Sequence, residues 1–193
     1  EFFLTPEFDR LASYHPGISF KRRMANDLLN LKGSPVHLTK TIMNLISNAA
    51  EAIAESGEVT VATENVYLHQ PVSGYSEVRE GDYIVLSVKD TGQGISEEDK
   101  EKIFEPFYTK KVMGRSGTGL GLAVVWGAVK DHNGYITVDS EPGKGSVFTL
   151  YLPATREQTA RPQKKARLET LKGKGESVLV VDDVREQREV ATS

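Results

Sequence analysis

Three short motifs follow one another along the chain, and their order constrains the fold more than any other feature. The first, NLISNA at 44–49, places two asparagines four residues apart. The second, DTGQGI at 90–95, puts an aspartate in a glycine-rich turn, and the third, GTGLGL at 117–122, is a glycine loop. Each motif alone is weak evidence, but three in this order are hard to explain as chance. Taken together, they suit a magnesium ion, a purine base and a triphosphate.

Asn44 and Asn48 lie on one face of a predicted helix. Ser34-Pro35 is a cap followed by a first helical proline, and Gly57 ends the helix. The apolar positions step by threes and fours: Leu38, Ile42, Leu45, Ile46, Ala49 and Ile53. Carboxamide oxygens are hard ligands that suit Mg²⁺, which takes its other ligands from water and phosphate. An isolated pair of this kind is more simply the polar edge of an amphipathic helix, but the other two motifs favour metal binding.

Asp90 follows a β-rich run over 83–88 and precedes two glycines, Gly92 and Gly94. An ionised carboxylate only accepts hydrogen bonds, so at the base of a pocket it can accept one from the exocyclic amine of adenine. The glycines allow the backbone to approach the ring where a Cβ would clash. The alternative is a turn that binds nothing.

The third block leads into a predicted helix over 119–132. It contains Gly114, Gly117, Gly119 and Gly121. Successive backbone N–H groups at a helix start, aided by the helix dipole, form a phosphate cradle. The block is not a Walker A loop, because G-x-x-x-x-G-K-[ST] is absent, and it is not a dinucleotide fingerprint, because the spacing is G-x-G-x-G and no strand precedes it.

A long loop, Glu105–Ser116, precedes this block and has the character of a functional lid. It contains Pro106 and has no hydrophobic periodicity. Lys110 and Lys111 in this loop could reach terminal phosphates, and the alternative for each is simple solvation.

The remaining segments alternate between helix and strand signals. The predictions are a helix Pro6–Tyr14, a strand beginning at Ile18, a strand Val59–Thr63, a surface hairpin loop Gln70–Asp82, a helix from the Ser96 cap to about Phe104, and strands Tyr135–Ser140 and Ser146–Leu152. Pro153 closes this domain, so that its predicted extent is 1–153. The basic, apolar-poor segment 154–176 predicts a solvated linker.

The composition excludes several classes of function. A net charge of -3 and a pI near 5.9 give no reason to expect a nucleic-acid partner. The absence of cysteine excludes disulfides and thiolate chemistry, and suits a cytoplasmic setting. No apolar run approaches the ~20 residues of a membrane helix, so we expect no membrane contact by this segment. The four histidines are interpreted as structural or surface residues: His15, His37, His69 and His132.

These motifs resemble the catalytic ATP-binding domain of bacterial sensor histidine kinases, a branch of the gyrase, heat-shock chaperone, histidine kinase and MutL superfamily with the Bergerat fold. The matching segments are the N box Asn44–Asn48, the first glycine box Asp90–Gly94, the F box Ile103–Lys110, the second glycine box Gly117–Leu122, and the domain end at Gly143–Gly145 and Tyr151–Pro153. The match covers about 18–153. It implies an α/β (α+β) two-layer sandwich, with a mixed, mostly antiparallel sheet covered on one face by helices.

The resemblance also implies ATP and Mg²⁺ as cofactors and assigns roles to residues. Asn48, with Asn44, would hold magnesium, Asp90 would recognise adenine, and Lys110 would stabilise the phosphates. The implied nucleotide-binding set is Asn48, Asp90, Gly92, Gly94, Lys110, Gly117, Thr118, Gly119, Leu120 and Gly121. One departure is Glu51, which occupies a position where many relatives have a Lys or Arg near the phosphates.

The implied function is transfer of the γ-phosphate to a histidine on a dimerisation domain, which is not part of this chain. In gyrase-type relatives the position of Asn44 is a glutamate that activates water, and an amide cannot act as a general base. This favours a kinase over a gyrase- or chaperone-type ATPase. A non-catalytic nucleotide-sensing module is a further alternative. The expected location is the cytoplasm, including the cytosolic part of a membrane-bound sensor.

The end of the chain resembles the start of a receiver domain. Val178–Val181 is an apolar run typical of a buried parallel strand, and Asp182 and Asp183 follow it. In receiver domains such acids help to bind magnesium. We therefore expect the chain to be part of a longer, hybrid kinase, truncated within 177–193, whose partners include a receiver domain or response regulator.

Overall fold

The computed structural model describes residues 6–69, 79–109 and 118–157. The helices are α1 (Pro6–Tyr14), α2 (Pro35–Glu51), α3 (Glu97–Lys100) and α4 (Gly121–Asp131). The strands are β1 (Ile18–Met24), β2 (Asn30–Leu31), β3 (Gly57–Leu68), β4 (Gly81–Asp90), β5 (Tyr135–Glu141) and β6 (Gly145–Thr155). The predicted lysines Lys110 and Lys111, the glycine Gly117, and the acids Asp182 and Asp183 lie outside the described residues, as does the chain from residue 158 onward.

The strands form one mixed sheet. Its order is β1-β3-β4-β6, with β5 on the other side of β6 and β2 paired to the end of β6. Only the β1–β3 pair is parallel among the described strands, and the other pairs are antiparallel. The predicted mixed, mostly antiparallel sheet is therefore confirmed.

Alternation along the strands explains why the helices cover one face. Val59 and Val61 of β3 and Val88 of β4 belong to the same buried cluster as Leu45 and Ile46 of α2. Side chains that alternate with the core-facing ones along each strand point to the opposite face of the sheet. A smaller cluster forms there from Tyr83, Val85, Val66, Leu68, Tyr135 and Tyr151. The result is the predicted two-layer arrangement of helices on a sheet.

The start of α2 is fixed by a local cap and a long-range bond. The Ser34 hydroxyl accepts a hydrogen bond from the His37 N–H at 3.4 Å, and Pro35 follows it. The Ser34 N–H donates to Nε2 of His132 at 2.9 Å, and Nδ1 of the same ring donates to the Ala128 carbonyl at 2.6 Å. His132 therefore connects α2 to the end of α4, in agreement with a structural role.

Several predicted boundaries are wrong. α2 ends at Glu51, before Gly57, which begins β3. α3 ends at Lys100, and turns rather than helix continue to Phe104. α4 begins two residues later than predicted because Gly119 has a φ of +69° and cannot be helical.

The last strand, β6, is longer than the strand Ser146–Leu152 that the sequence predicts. β6 extends beyond Leu152 to Thr155, because Ala154 and Thr155 pair with Leu31 and Asn30. The two-residue strand β2 was not predicted at all. Among the described residues, no helix is both long and apolar enough to cross a membrane.

Candidate functional site

A cavity of about 350 Å³ lies at the point where the predicted motifs meet. Its lining includes Asn44 and Asn48 of the first motif, Gly94 of the second, and Gly119 and Gly121 of the third. Thr118 of the predicted nucleotide-binding set also lines it, whereas Asp90, Gly92 and Leu120 do not. The structure thus brings the three sequence motifs together around one space.

Asn44 and Asn48 face the first residue of α4. The Asn44 side-chain amide donates to the Gly121 carbonyl at 3.3 Å. A Cβ added at Gly121 would lie 3.6 Å from Asn48 Nδ2 and 3.9 Å from Asn48 Oδ1. The two carboxamides therefore lie beside the positive end of α4. Carboxamide oxygens placed here fit a Mg²⁺ ion that takes its remaining ligands from water and phosphate.

Asp90 ends β4 and lies directly behind the cavity wall. Asp90 is 2% exposed, and its Oδ1 accepts a hydrogen bond from the Gly92 N–H at 2.8 Å. Burial raises the pKa of the Asp90 carboxyl above its ordinary value, while hydrogen bonds from Gly92 and from the backbone and hydroxyl of Ser146 oppose this increase. Ser146, which does line the cavity, connects the carboxylate to that space.

The glycines of the second motif are required by packing inside the protein. A Cβ at Gly92 would lie 2.5 Å from the Ala52 carbonyl oxygen, at the end of α2. Gly94 has a φ of +71°, and its Cβ would collide with the carbonyl of Glu141. The prediction that these glycines admit a bound ring thus has a competing explanation that needs no ligand.

The third motif places the start of α4 at the cavity. Gly119 has a left-handed backbone, and its carbonyl accepts a hydrogen bond from the Phe107 N–H at 3.0 Å. A Cβ at Gly119 would lie 2.6 Å from the carbonyl carbon of Phe107. The side chain of Leu120, which precedes α4, makes no capping hydrogen bond. The first turn of α4 therefore presents backbone N–H groups and a positive dipole end toward the cavity.

Two acidic residues line the cavity: Asp99, which the sequence does not predict as a site residue, and Glu51, the departure from the family pattern noted above. Asp99 is 9% exposed, and it accepts hydrogen bonds from the hydroxyls of Tyr108 and Ser96, each at 2.6 Å. Glu51 accepts one from Ser47 at 3.1 Å. The sequence signal at Asp99 was the capping box of α3, which predicts a helix start but not which way the acid faces.

A comparison with known families decides the classification. The family model "Histidine kinase-, DNA gyrase B-, and HSP90-like ATPase" matches residues 33–156, more than half of the chain. The chain belongs to this family. Those residues contain the Asn44–Gly121 contact and the Asp90 turn, so the cavity lies within the matched ATPase region.

Related proteins are sensor kinases. The chain is 37% identical over 174 residues to the sensor kinase CckA of Brucella abortus, covering 86% of this chain and 18% of that protein. It is 39% identical over 133 residues to the sensor histidine kinase ZraS of Escherichia coli K12, covering 68% of this chain and 25% of that protein. This histidine kinase-type ATPase domain therefore spans a quarter or less of the length of these two relatives.

Solved structures agree in fold. The catalytic domain of histidine kinase ThkA superposes with a TM-score of 0.58 at 28% identity, covering 79% of this chain and 93% of that one. The mycobacterial sensor histidine kinase MprB superposes with a TM-score of 0.60 at 24% identity, covering 77% of this chain and 89% of that one. The predicted catalytic ATP-binding domain of a sensor histidine kinase is confirmed.

Proposed function

We propose that this domain binds Mg-ATP in the cavity between α2 and α4 and donates the γ-phosphate to a histidine on a separate dimerisation domain. The observation that carries the proposal is one cavity lined by two carboxamides and the start of α4, with the buried Asp90 carboxylate directly behind its wall. Phosphoryl transfer depends mainly on positioning and charge neutralisation, and groups of these kinds supply both.

In this proposal each element of the cavity serves one part of the nucleotide. Asn48, with Asn44, holds Mg²⁺, which would neutralise phosphate charge. Asp90 accepts a hydrogen bond from the adenine amine. The N–H groups at the start of α4 bind phosphate oxygens, together with Lys110 and the glycine loop from Gly117. The roles of the last two residues are supported only by the sequence motif.

The side chain at position 44 supports transfer to a histidine over transfer to water. The carboxamide of Asn44 donates to the Gly121 carbonyl and has no basic group with which to activate a water molecule. Hydrolysis should consequently be slow, so that the γ-phosphate is retained for an acceptor histidine. Because ATP is the proposed donor, we place the domain in the cytoplasm.

We further propose that the parent protein is a hybrid kinase. The support is the apolar run before Asp182 and Asp183, which has the pattern of the first strand of a receiver domain. The acceptor-histidine domain and a receiver domain or response regulator are then the expected protein partners.

The test mixes this protein, Mg²⁺ and [γ-³²P]ATP with a separately produced dimerisation domain of a related sensor kinase. We expect label on a histidine of that domain, and its loss when EDTA is added or when Asn48 is changed to alanine. Asn30→Ala, which alters an asparagine in β2, is the matched control and should transfer label normally. Release of inorganic phosphate without labelled histidine would indicate a gyrase-type ATPase, and binding without turnover would indicate a nucleotide sensor; either result overturns the proposal.

A further inference from the structure

Ser140 is a buried serine of β5 that does not line the cavity. Ser140 is 4% exposed and pairs with Ser146 in the β5–β6 register. Its hydroxyl oxygen accepts a hydrogen bond from the Ile95 N–H at 2.8 Å. The same hydroxyl lies 3.0 Å from the Ser146 hydroxyl and 2.9 Å from the Gly145 carbonyl, either of which can accept its single proton.

The hydrogen bonds continue from Ser140 to Asp90 through Ser146. Ser146 stands beside Asp90, because Lys89 and Val147 form the last pair of the β4–β6 register and these two residues come next, and a Ser146 hydroxyl that donates here lowers the pKa of the Asp90 carboxyl. Since a hydroxyl has only one proton to donate, Ser146 in this state can interact with Ser140 only as an acceptor. Ser140 is therefore one hydrogen bond away from the group that holds the proposed adenine acceptor in place.

Ser140 also fixes the turn that follows Asp90. The Gln93 N–H donates to the Ala52 carbonyl at 3.0 Å, and the Gly143 N–H donates to the Gln93 carbonyl at 2.7 Å. These two bonds are made by the backbone alone. The bond from the Ile95 N–H to Ser140 adds a side-chain contact to the same turn, and Ile95 lines the cavity.

We propose that Ser140 is a positioning residue for recognition of the purine base. One hydroxyl connects two parts of the proposed base site: through Ser146 it orients the acceptor Asp90, and through Ile95 it holds part of the cavity wall. This inference rests on the proposed adenine-binding role of Asp90. It predicts that Ser140 affects the preference for ATP over GTP as well as the affinity for ATP, although it touches neither nucleotide.

The test measures the Kd of the full chain for Mg-ATP and Mg-GTP by calorimetry, with thermal unfolding of each variant alongside. Ser140→Ala leaves the Ile95 N–H without its acceptor and removes the hydroxyl that contacts Ser146. We expect the ATP Kd to rise about three- to tenfold with a smaller change for GTP, so that the ATP/GTP preference falls. Ser140→Thr keeps the hydroxyl and should restore most of the preference.

Two further variants separate positioning from general destabilisation. Ile84→Val removes a buried methylene at the far end of β4 from Asp90, and should lower the melting temperature without changing the ATP/GTP preference. In the double variant Ser140→Ala/Ser146→Ala, the loss of preference should be smaller than the sum of the single losses, because both changes break one chain of hydrogen bonds. If Ser140→Ala unfolds, Ser140→Cys, of similar size but a weak donor, replaces it.

An unchanged ATP/GTP preference in folded Ser140→Ala or Ser140→Cys, or strictly additive losses in the double variant, would overturn the inference. The outcome is independent of phosphotransfer. A wild-type protein that prefers ATP over GTP but labels no histidine contradicts the proposed kinase function, and the serine variants still decide the role of Ser140.

Discussion

Replacing Asp90 with asparagine should weaken the binding of ATP. Asp90 is 2% exposed, and its carboxylate accepts a hydrogen bond from the Gly92 N–H. Asparagine has nearly the same shape but replaces one acceptor oxygen with a donor NH₂ group. If this NH₂ group faces the adenine amine, two hydrogen-bond donors oppose each other and neither has an acceptor. The cost in binding free energy is about 1–3 kcal/mol, which raises the Kd for ATP roughly five- to 150-fold.

Calorimetry with Mg-ATP and Mg-GTP is the assay for this substitution. Asp139→Asn, which makes the same chemical change at an exposed position of β5, is the matched control and should bind ATP as the wild type does. The reasoning is refuted if Asp90→Asn binds ATP with wild-type affinity, or if the wild type binds ATP and GTP equally tightly.

The same variant should alter the pH dependence of folding. Since burial raises the folded pKa of Asp90 above 3.8, the ionised carboxylate destabilises the folded state at any pH above that folded pKa. As the pH falls through the folded pKa toward 3.8, protonation relieves this cost in the wild type, whereas asparagine never carries it. The free energy of unfolding of Asp90→Asn minus that of the wild type should therefore decrease as the pH falls, measured by urea unfolding between neutral pH and about pH 4. A difference that is independent of pH would contradict the buried-charge argument.

Other substitutions should act through backbone geometry and long-range hydrogen bonds. Gly119→Ala should lower the free energy of unfolding by at least about 1–2 kcal/mol, because a non-glycine residue is strained at φ +69°. Gly127→Ala, in an open helical position, should raise the free energy of unfolding by about 0.5–1 kcal/mol. Equal effects of the two substitutions in urea unfolding would contradict this prediction. His132→Phe should lower the free energy of unfolding by about 1–3 kcal/mol, because the Ser34 N–H loses its acceptor. The substitution His37→Ala, at an exposed position, should change it by less than about 0.5 kcal/mol. Similar melting temperatures for both variants would show that the His132 ring does not connect α2 to α4.

Local signals in the sequence agree with the structure. The helix Pro6–Tyr14 was predicted with both ends correct, because a proline at its first position and His15-Pro16-Gly17 after it mark the boundaries. The Ser34 cap of α2 was correct for the same reason. The three motifs predicted the cavity because each combines a short pattern with a specific chemistry.

Contacts that join distant parts of the chain leave no such local signal. Two residues, Asn30 and Leu31, carry no periodicity, and they form a strand only because the end of β6 lies beside them. In the sequence, Ser140 is one more polar residue of an alternating strand, and no neighbouring residue indicates its hydrogen bond to the Ile95 N–H. The bond between His132 and Ser34 likewise joins residues 98 positions apart.

The position of the single tryptophan has a practical consequence for studying this domain. Trp126 lies on α4, the helix whose first residue contacts Asn44, and its ring packs against Phe104 with centroids 5.0 Å apart. Phe104 belongs to the turn between α3 and the residues that reach Gly119. Because no other tryptophan contributes, emission excited at the indole band reports on the packing of α4 against this turn. The domain thus carries an intrinsic fluorescent probe on a helix whose first residues line the cavity, and rapid-mixing tests of the proposed nucleotide binding need no attached dye.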